Sequence, residues 1–430
     1  MITVTKASRD NASSVISALR ARSAEKNAEI SAAAADIMNN VRKNGWQAVV
    51  EYSLRFDRAE PFELTRTELE AAAASCPAEL LSAIRRAAEN IRDYQSRLLP
   101  KSAEWQVPGG ILGQTVRGLH RVGVYVPGGA AAYPSTVLMN VIPAKVAGVG
   151  EVIVVTPPTK NLNIAVMAAA YVAGADRLIA LGGAQAVAAL TYGAGFVPRV
   201  DKLVGPGNAY VAAAKRLAFG EVDIDMVAGP SEVLIIADDT ADPVYIAADM
   251  LSQAEHDALA ASVLVTTSKA LSDKVIEQLK AQSEPLERRE IIRQSLAEQG
   301  AIIICGTPED AARIADEAAP EHCEIMTENP RALLPMITNA GAIFLGPHSP
   351  EPLGDYMAGP SHVLPTSGTA RFFSPLSAES FIKKTSIIEY TREGILAVAD
   401  DIIRLARAEG LTAHAASVAA RMNTDTAREK

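Results

Sequence analysis

Six histidines occur in the chain of 430 residues, few enough to weigh singly: His120, His256, His322, His348, His362 and His414. Imidazole titrates nearest to neutrality of the side chains and binds transition metals, so a histidine beside a carboxylate or amide marks a place where protons or metal ions can be handled. Glu321 and His322 are adjacent in AAPEHCEIM, at the turn from a helical to a strand pattern, with Pro320 fixing the approach. A carboxylate next to an imidazole suits proton transfer, with the glutamate tuned upward by burial to act as a base toward water. The same two residues also make an ordinary ion pair. In ADMLSQAEHD, helical spacing puts Gln253 and His256 one turn apart on one face, where they can offer two ligands to one metal; solvated surface pairs share that spacing. Asp355 and His362 lie in EPLGDYMAGPSHVLPTSGTARFFSPLS, whose glycines and prolines should break any helix or strand. Such a segment is either a surface loop or one held by specific contacts for function. His414, in EGLTAHAASVAAR, falls on a C-terminal helical pattern with Glu409 just upstream, and a lone helical histidine reads as structural.

Cys323, directly after the Glu321–His322 pair, allows two readings: a thiolate that traps an aldehyde as a thiohemiacetal, or a small apolar residue at the start of a buried strand. Cys305 within AIIIC and Cys76 after a helix read as structural. The three cysteines are too far apart for a CxxC metal knuckle and cannot all pair with one another, which suits a reducing compartment.

The first hundred residues alternate Ala-rich helical stretches with charged faces and show almost no strand signal. From Arg121 short β-branched runs appear, each ending in Gly or Pro and followed by an Ala-rich helix: VGVYVPGG, EVIVVTPP, RLIALGG, KLVGPGN and MVAGPSEVLIIAD. ASVLVTTS, AIIIC, CEIMT and AIFL continue the rhythm. Alternating strands and helices demand right-handed crossovers and mostly parallel sheets. The expected fold is therefore α/β, with two incomplete Rossmann-like parallel-sheet domains and small helical appendages at both termini. Ligands in such folds bind beyond the carboxyl ends of the strands, where the Gly-rich turns lie. Neither VPGGAA nor VGPGNAY is a G-x-G-x-x-G, so the usual dinucleotide fingerprint is missing, although both turns can offer backbone N–H groups to a phosphate.

Forty-one Lys and Arg against fifty Asp and Glu leave a net charge of −9, scattered rather than gathered into a basic face, which argues against a nucleic-acid partner. No apolar run reaches the roughly 18 residues of a membrane span. The N-terminus MITVTKASRDNASSV lacks the basic head and apolar stretch of a secretory leader, so a cytoplasmic location is expected.

Taken in order, YVPGGAAAYPSTVLMNVIPAKVAGV, GPGNAYVAAAKR, VAGPSEVLIIAD, SQAEHD, APEHCEI, GDYMAGPSHVLPTSGTARFFSPLS and EGLTAHAASVAAR resemble the histidinol dehydrogenase family across about residues 110–422. The resemblance implies oxidation of L-histidinol to L-histidine through an aldehyde with two NAD, one zinc ion per subunit, and a homodimer with exchanged tails. Carried over position by position, it makes Gln253, His256, Asp355 and His414 the zinc ligands, with His414 supplied by the neighbouring subunit. It makes Glu321 and His322 the acid/base pair. Ser231, Gln253, His256, His322, Asp355, His362, Glu409 and His414 would bind substrate, and Tyr125, Gln185 and Asn208 would contact NAD. The family often has Asn where Ser361 stands and Leu where Cys323 stands, and its chemistry does not use a thiol there. With the resemblance, the chain is expected to divide into a helical arm over 1–20, a discontinuous Rossmann-like domain over 21–124 and 233–376, a second over 125–232, and a helical tail over 377–430 exchanged between subunits. Other small diols as substrate, a zinc-dependent hydrolase and a zinc-stabilised scaffold remain as rival readings.

Overall fold

A computed structural model describes residues 2–6, 27–128, 133–159, 162–227 and 229–422. Contacts group them into two compact units, Met1–Leu98 with Leu119–Phe381, and Leu99–Gly118 with Ile382–Lys430.

The first unit contains two six-stranded sheets. In the first sheet the spatial order is Phe62–Leu64, Arg177–Ala180, Glu151–Thr156, Arg121–Tyr125, Lys202–Val204 and Asp223–Ile224. All neighbours are parallel except the short edge strand Phe62–Leu64, which runs antiparallel to Arg177–Ala180. The second sheet is wholly parallel, in the order Thr3–Lys6, Ala301–Ile304, Ala261–Thr266, Glu232–Ala237, His322–Met326 and Ala342–Leu345. In both sheets the direction of winding reverses beside a central strand, Arg121–Tyr125 in one and Glu232–Ala237 in the other. The two doubly wound, Rossmann-like layers expected from the βαβ rhythm are therefore present.

The central strands are apolar on both faces because helices cover both faces. Ala34, Met38, Val41 and Val49 pack with Ile153, Ile179, Val187 and Ala214 in one core of the first sheet, so the helices within 27–56 belong to that sheet. The boundary expected at 124/125 falls inside this layer: the strands Phe62–Leu64 and Arg121–Tyr125 pair with 151–224 rather than with the second sheet. The second sheet has one core on each face, with Ile236, Val265, Ile303 and Ala315 in one and Ile235, Met250, Leu264 and Val275 in the other.

Two further differences from the sequence reading concern the termini. Thr3–Lys6, expected in a helical arm, is an edge strand paired Thr3↔Ala301 through Lys6↔Ile304; the rest of that arm, from residue 7, lies outside the described residues. Ile382–Tyr390, expected in a helical tail, is a nine-residue strand, and with Ala103–Val107 and Gly110–Gly118 it makes the antiparallel sheet of the second unit. Its IKKTSIIEY pattern is β-branched and free of glycine, which favours the pleated state. The helices Arg392–Ala408 and Thr412–Met422 follow, as the helical pattern indicated.

At the carboxyl end of Lys202–Val204 the chain turns through Gly205 at φ 103°, where a Cβ would run into the Tyr125 carbonyl. A buried cation fixes this turn: the Lys215 ammonium donates to the Gly205 carbonyl at 2.8 Å and pairs with Asp225, whose other oxygen accepts the Gly205 N–H at 2.7 Å. Lys215→Met would keep the stem but leave the Asp225 charge buried and unpaired. The expected loss of stability, measured by urea unfolding, is about 3–5 kcal/mol.

Candidate active site

Glu321 and His322 owe their placement to a reversal. The helix Pro308–Ala318 ends with Ala319 in the left-handed region at φ 49°, and Pro320 prevents its continuation before the strand His322–Met326 begins. On one side Gly341 and Ala342 donate to the carbonyls of Pro320 and Glu321, both at 2.9 Å. On the other side the main chain of Glu232 holds both side chains. Its N–H donates to Glu321 Oε2 at 2.9 Å, and its carbonyl lies 3.0 Å from His322 Nδ1. A carbonyl can only accept, so Nδ1 carries the ring proton and Nε2 presents a lone pair.

That lone pair faces Glu351, with Nε2 3.8 Å from Oε1. Burial lowers the His322 pKa, opposed by the Asp355 carboxylate and by the Glu232 carbonyl, so the ring is neutral at pH 7. Burial also raises Glu321 well above the usual carboxyl range, outweighing the Glu232 N–H that favours its anion. Glu351 is pushed up to about 10, first by burial and then by Asp355. Burial thus favours the neutral forms of these acids, and a cation bound beside them would favour their anions.

Glu351 and Asp355 share the short helix Glu351–Tyr356. The segment was expected to break any helix, but Pro350 sits at the N-cap and Pro352 in the first turn, where a missing N–H costs no intrahelical bond. Gly354 lets this helix approach Phe344, whose ring a Cβ would meet at 2.7 Å. His256 follows the end of the helix Pro243–Ala254, and its ring nitrogen, a Glu351 oxygen and an Asp355 oxygen lie within 4.8 Å of one another. On the same helix Gln253 is 1% exposed, and neither its amide oxygen nor its amide nitrogen has a hydrogen-bond partner. Imidazole and carboxylate donors gathered this closely, with two orphaned buried polar atoms on the helix that leads to His256, fit a nitrogen- and oxygen-binding metal such as zinc.

His362 Nδ1 lies 3.7 Å from Asp355 Oδ1, and burial lowers its pKa against the pull of that carboxylate. His322, Asp355 and His362 line one side of a cavity of about 310 Å³ whose other walls include Ile343, Phe344 and Leu353. Ser231 immediately precedes the strand Glu232–Ala237, level with the turn that carries Glu321. This centre therefore lies at the amino ends of the second sheet's strands, whereas the topology rule alone points to carboxyl ends.

The carboxyl ends of the first sheet hold the other three candidates. Buried Tyr125 accepts a hydrogen bond at its hydroxyl from the Gly183 N–H at 3.1 Å, and burial pushes its phenol up to about 12. Gln185 donates to Asp57 Oδ2 at 3.1 Å. Asn208 caps the helix Ala209–Ala218, accepting from the N–H groups of Tyr210 and Val211. Glu409 and His414 belong to the second unit: Glu409 ends the helix Arg392–Ala408, and His414 lies exposed on Thr412–Met422.

A family model described as histidinol dehydrogenase matches residues 20–422. The chain is 51% identical over 408 residues to a histidinol dehydrogenase of Clostridium acetobutylicum, covering 94% of this chain and 95% of that protein. It is 50% identical over 396 residues to one of Aquifex aeolicus, covering 90% and 91%. The crystal structure of histidinol dehydrogenase from Elizabethkingia anophelis superposes with a TM-score of 0.93 at 35% identity, covering 98% of each chain. The chain belongs to the histidinol dehydrogenase family. As a member it is an oxidoreductase enzyme.

Within this histidinol dehydrogenase framework, sequence reasoning passed over Glu351, Glu324 and Asp57. Glu351 had a signal, since it stands four residues before Asp355 and thus one helical turn away, but the prolines around it masked the helix. The thiohemiacetal reading of Cys323 finds no support. The thiol is fully buried, and burial pushes it up to about 12, so it stays protonated at neutral pH and lacks the thiolate that attacks carbonyls. Iodoacetamide at pH 8 is expected to leave Cys323 unmodified in the native protein and to label it in urea, as mass mapping would show. Cys323→Ser should keep activity within a few fold.

Proposed function

We propose that the chain oxidises L-histidinol to L-histidine through L-histidinal, using two NAD and one zinc ion per subunit, in the last steps of histidine biosynthesis. The observation that carries the reading is the meeting of a neutral, oriented His322 ring with the His256, Glu351 and Asp355 cluster, with a buried, unpaired Gln253 amide three residues before His256. Family membership supplies the substrate class, from relatives named for acting on histidinol.

In this reading Gln253, His256 and Asp355, with His414 of the partner subunit, hold the zinc, and the active unit is a homodimer in the cytoplasm. Among the described residues no helix is long and apolar enough to cross a membrane. Ser231, His322, His362 and Glu409 surround the substrate, and Tyr125, Gln185 and Asn208 contact NAD. Bound zinc supplies a positive centre that orients nitrogen ligands and polarises the substrate hydroxyl, and NAD accepts hydride in each oxidation.

His322 Nε2 takes the hydroxyl proton as the first hydride leaves, giving the aldehyde. Ionised Glu321 then draws a proton from the water that adds to the aldehyde, while His322 gives its proton to the aldehyde oxygen and becomes neutral again. The resulting hydrate loses its second hydride, and His322 again takes the hydroxyl proton. Burial suits Glu321 to this step because a carboxylate held high in pKa is a stronger base than one in water.

Limiting L-histidinol with excess NAD is expected to yield two NADH per substrate, lost on chelation and recovered with zinc. A yield of one, or none, contradicts the reading. His322→Asn should retain zinc and lower kcat by about 10²–10⁴-fold. Gln253→Leu should lose zinc, while the metal-free protein unfolds at unchanged or higher denaturant concentration because an unsatisfied buried amide is removed.

A further inference from the structure

Glu324 is a buried carboxyl that the proposed reaction does not use. It is 1% exposed and stands two residues beyond His322 on the same strand, so both side chains leave the same face of the sheet. Its carboxyl is engaged by two different elements. Oε1 accepts the Glu351 N–H at 2.9 Å. That N–H opens the helix carrying Glu351 and Asp355, and the N-cap position there is Pro350, which has no side chain able to cap it. Glu324 thus does from a neighbouring strand what a capping side chain does locally.

The second engagement is with Asp249, on the helix Pro243–Ala254 and one turn before Gln253. Two ionised carboxylates could not share a dry site. Burial and the Asp249 carboxyl both raise Glu324 above the usual range, and the two side chains are hydrogen-bonded to each other. Oε2 is buried and receives no hydrogen bond. One carboxyl on the His322 strand therefore fastens both helices whose residues are assigned to the metal, and these helices also pack on each other.

We propose that Glu324 is the positioning residue of the metal site, fixing the separation between the Gln253–His256 end of one helix and Asp355 on the other. The inference rests on the zinc reading above. A donor set held at a fixed bite binds more tightly than one whose two halves move independently, and loss of such supporting partners costs about 10–100-fold in metal affinity.

Zinc affinity is measured on metal-free full-length protein by competition with a chromophoric chelator, with urea unfolding of each metal-free variant alongside. Glu324→Gln keeps an acceptor for Glu351 and a donor for Asp249, and is expected to bind zinc within about threefold of the unaltered chain. Glu324→Met fills the space with neither bond, and is expected to lose about 10–100-fold. If Glu324→Met does not fold, Asp249→Ala, which cuts one of the two ties, is expected to show a smaller loss of the same kind. Asp355→Ala serves as control. Weak binding by Asp355→Ala with undiminished affinity in Glu324→Met, or in Asp249→Ala where that variant replaces it, overturns the positioning role and leaves the zinc reading intact. Equal affinity in the unaltered chain and Asp355→Ala overturns both.

Discussion

The candidate site depends on one short stretch of main chain, the N–H and carbonyl of Glu232. These groups hold the Glu321 carboxyl and the His322 ring from the neighbouring strand, at 2.9 and 3.0 Å. Strand register makes this possible: His322 lies opposite Val233 in a parallel pair, so the residues just before each strand come level. A shift of one residue would turn His322 to the opposite face of the sheet and break both contacts. The all-parallel second sheet, its winding reversal beside Glu232–Ala237 and the left-handed stop at Ala319 all serve this register.

Burial shapes the electrostatics that follow. Glu321, Glu324 and Glu351 are all raised, and His322 and His362 are lowered, in each case first by burial. The site therefore favours neutral forms and gathers acids that a cation would stabilise as anions. The unpaired Gln253 amide belongs to the same pattern. Such a concentration of unfavourable groups is expected at a functional centre and not in a core selected for stability.

Much of this was legible in the sequence because its signals are local. The short β-branched runs, the Gly turns at strand ends, the Glu321–His322 pair and the Gln253–His256 spacing each span fewer than ten residues and follow from backbone geometry. What escaped was non-local. Thr3–Lys6 is a strand because Ala301–Ile304 offers an edge nearly three hundred residues away, and Ile382–Tyr390 is one because Gly110–Gly118 pairs with it. Glu351 and Glu324 read as ordinary acids until folding brings one N–H onto the other's carboxyl. Position relative to the sheet also eluded the general rule, which places ligands at strand carboxyl ends. The candidates Tyr125, Gln185 and Asn208 lie at such ends, but Glu321 and His322 stand at amino ends.

The central claim is that burial leaves His322 neutral and the Glu232 carbonyl holds its proton on Nδ1, with Nε2 free to accept. Nitrogen-15 NMR of protein labelled at histidine, with the His322 signals assigned by their loss in His322→Asn, tests it most directly. At pH 7 the account predicts a protonated Nδ1 and an unprotonated Nε2. A proton on Nε2, alone or with Nδ1, would contradict it.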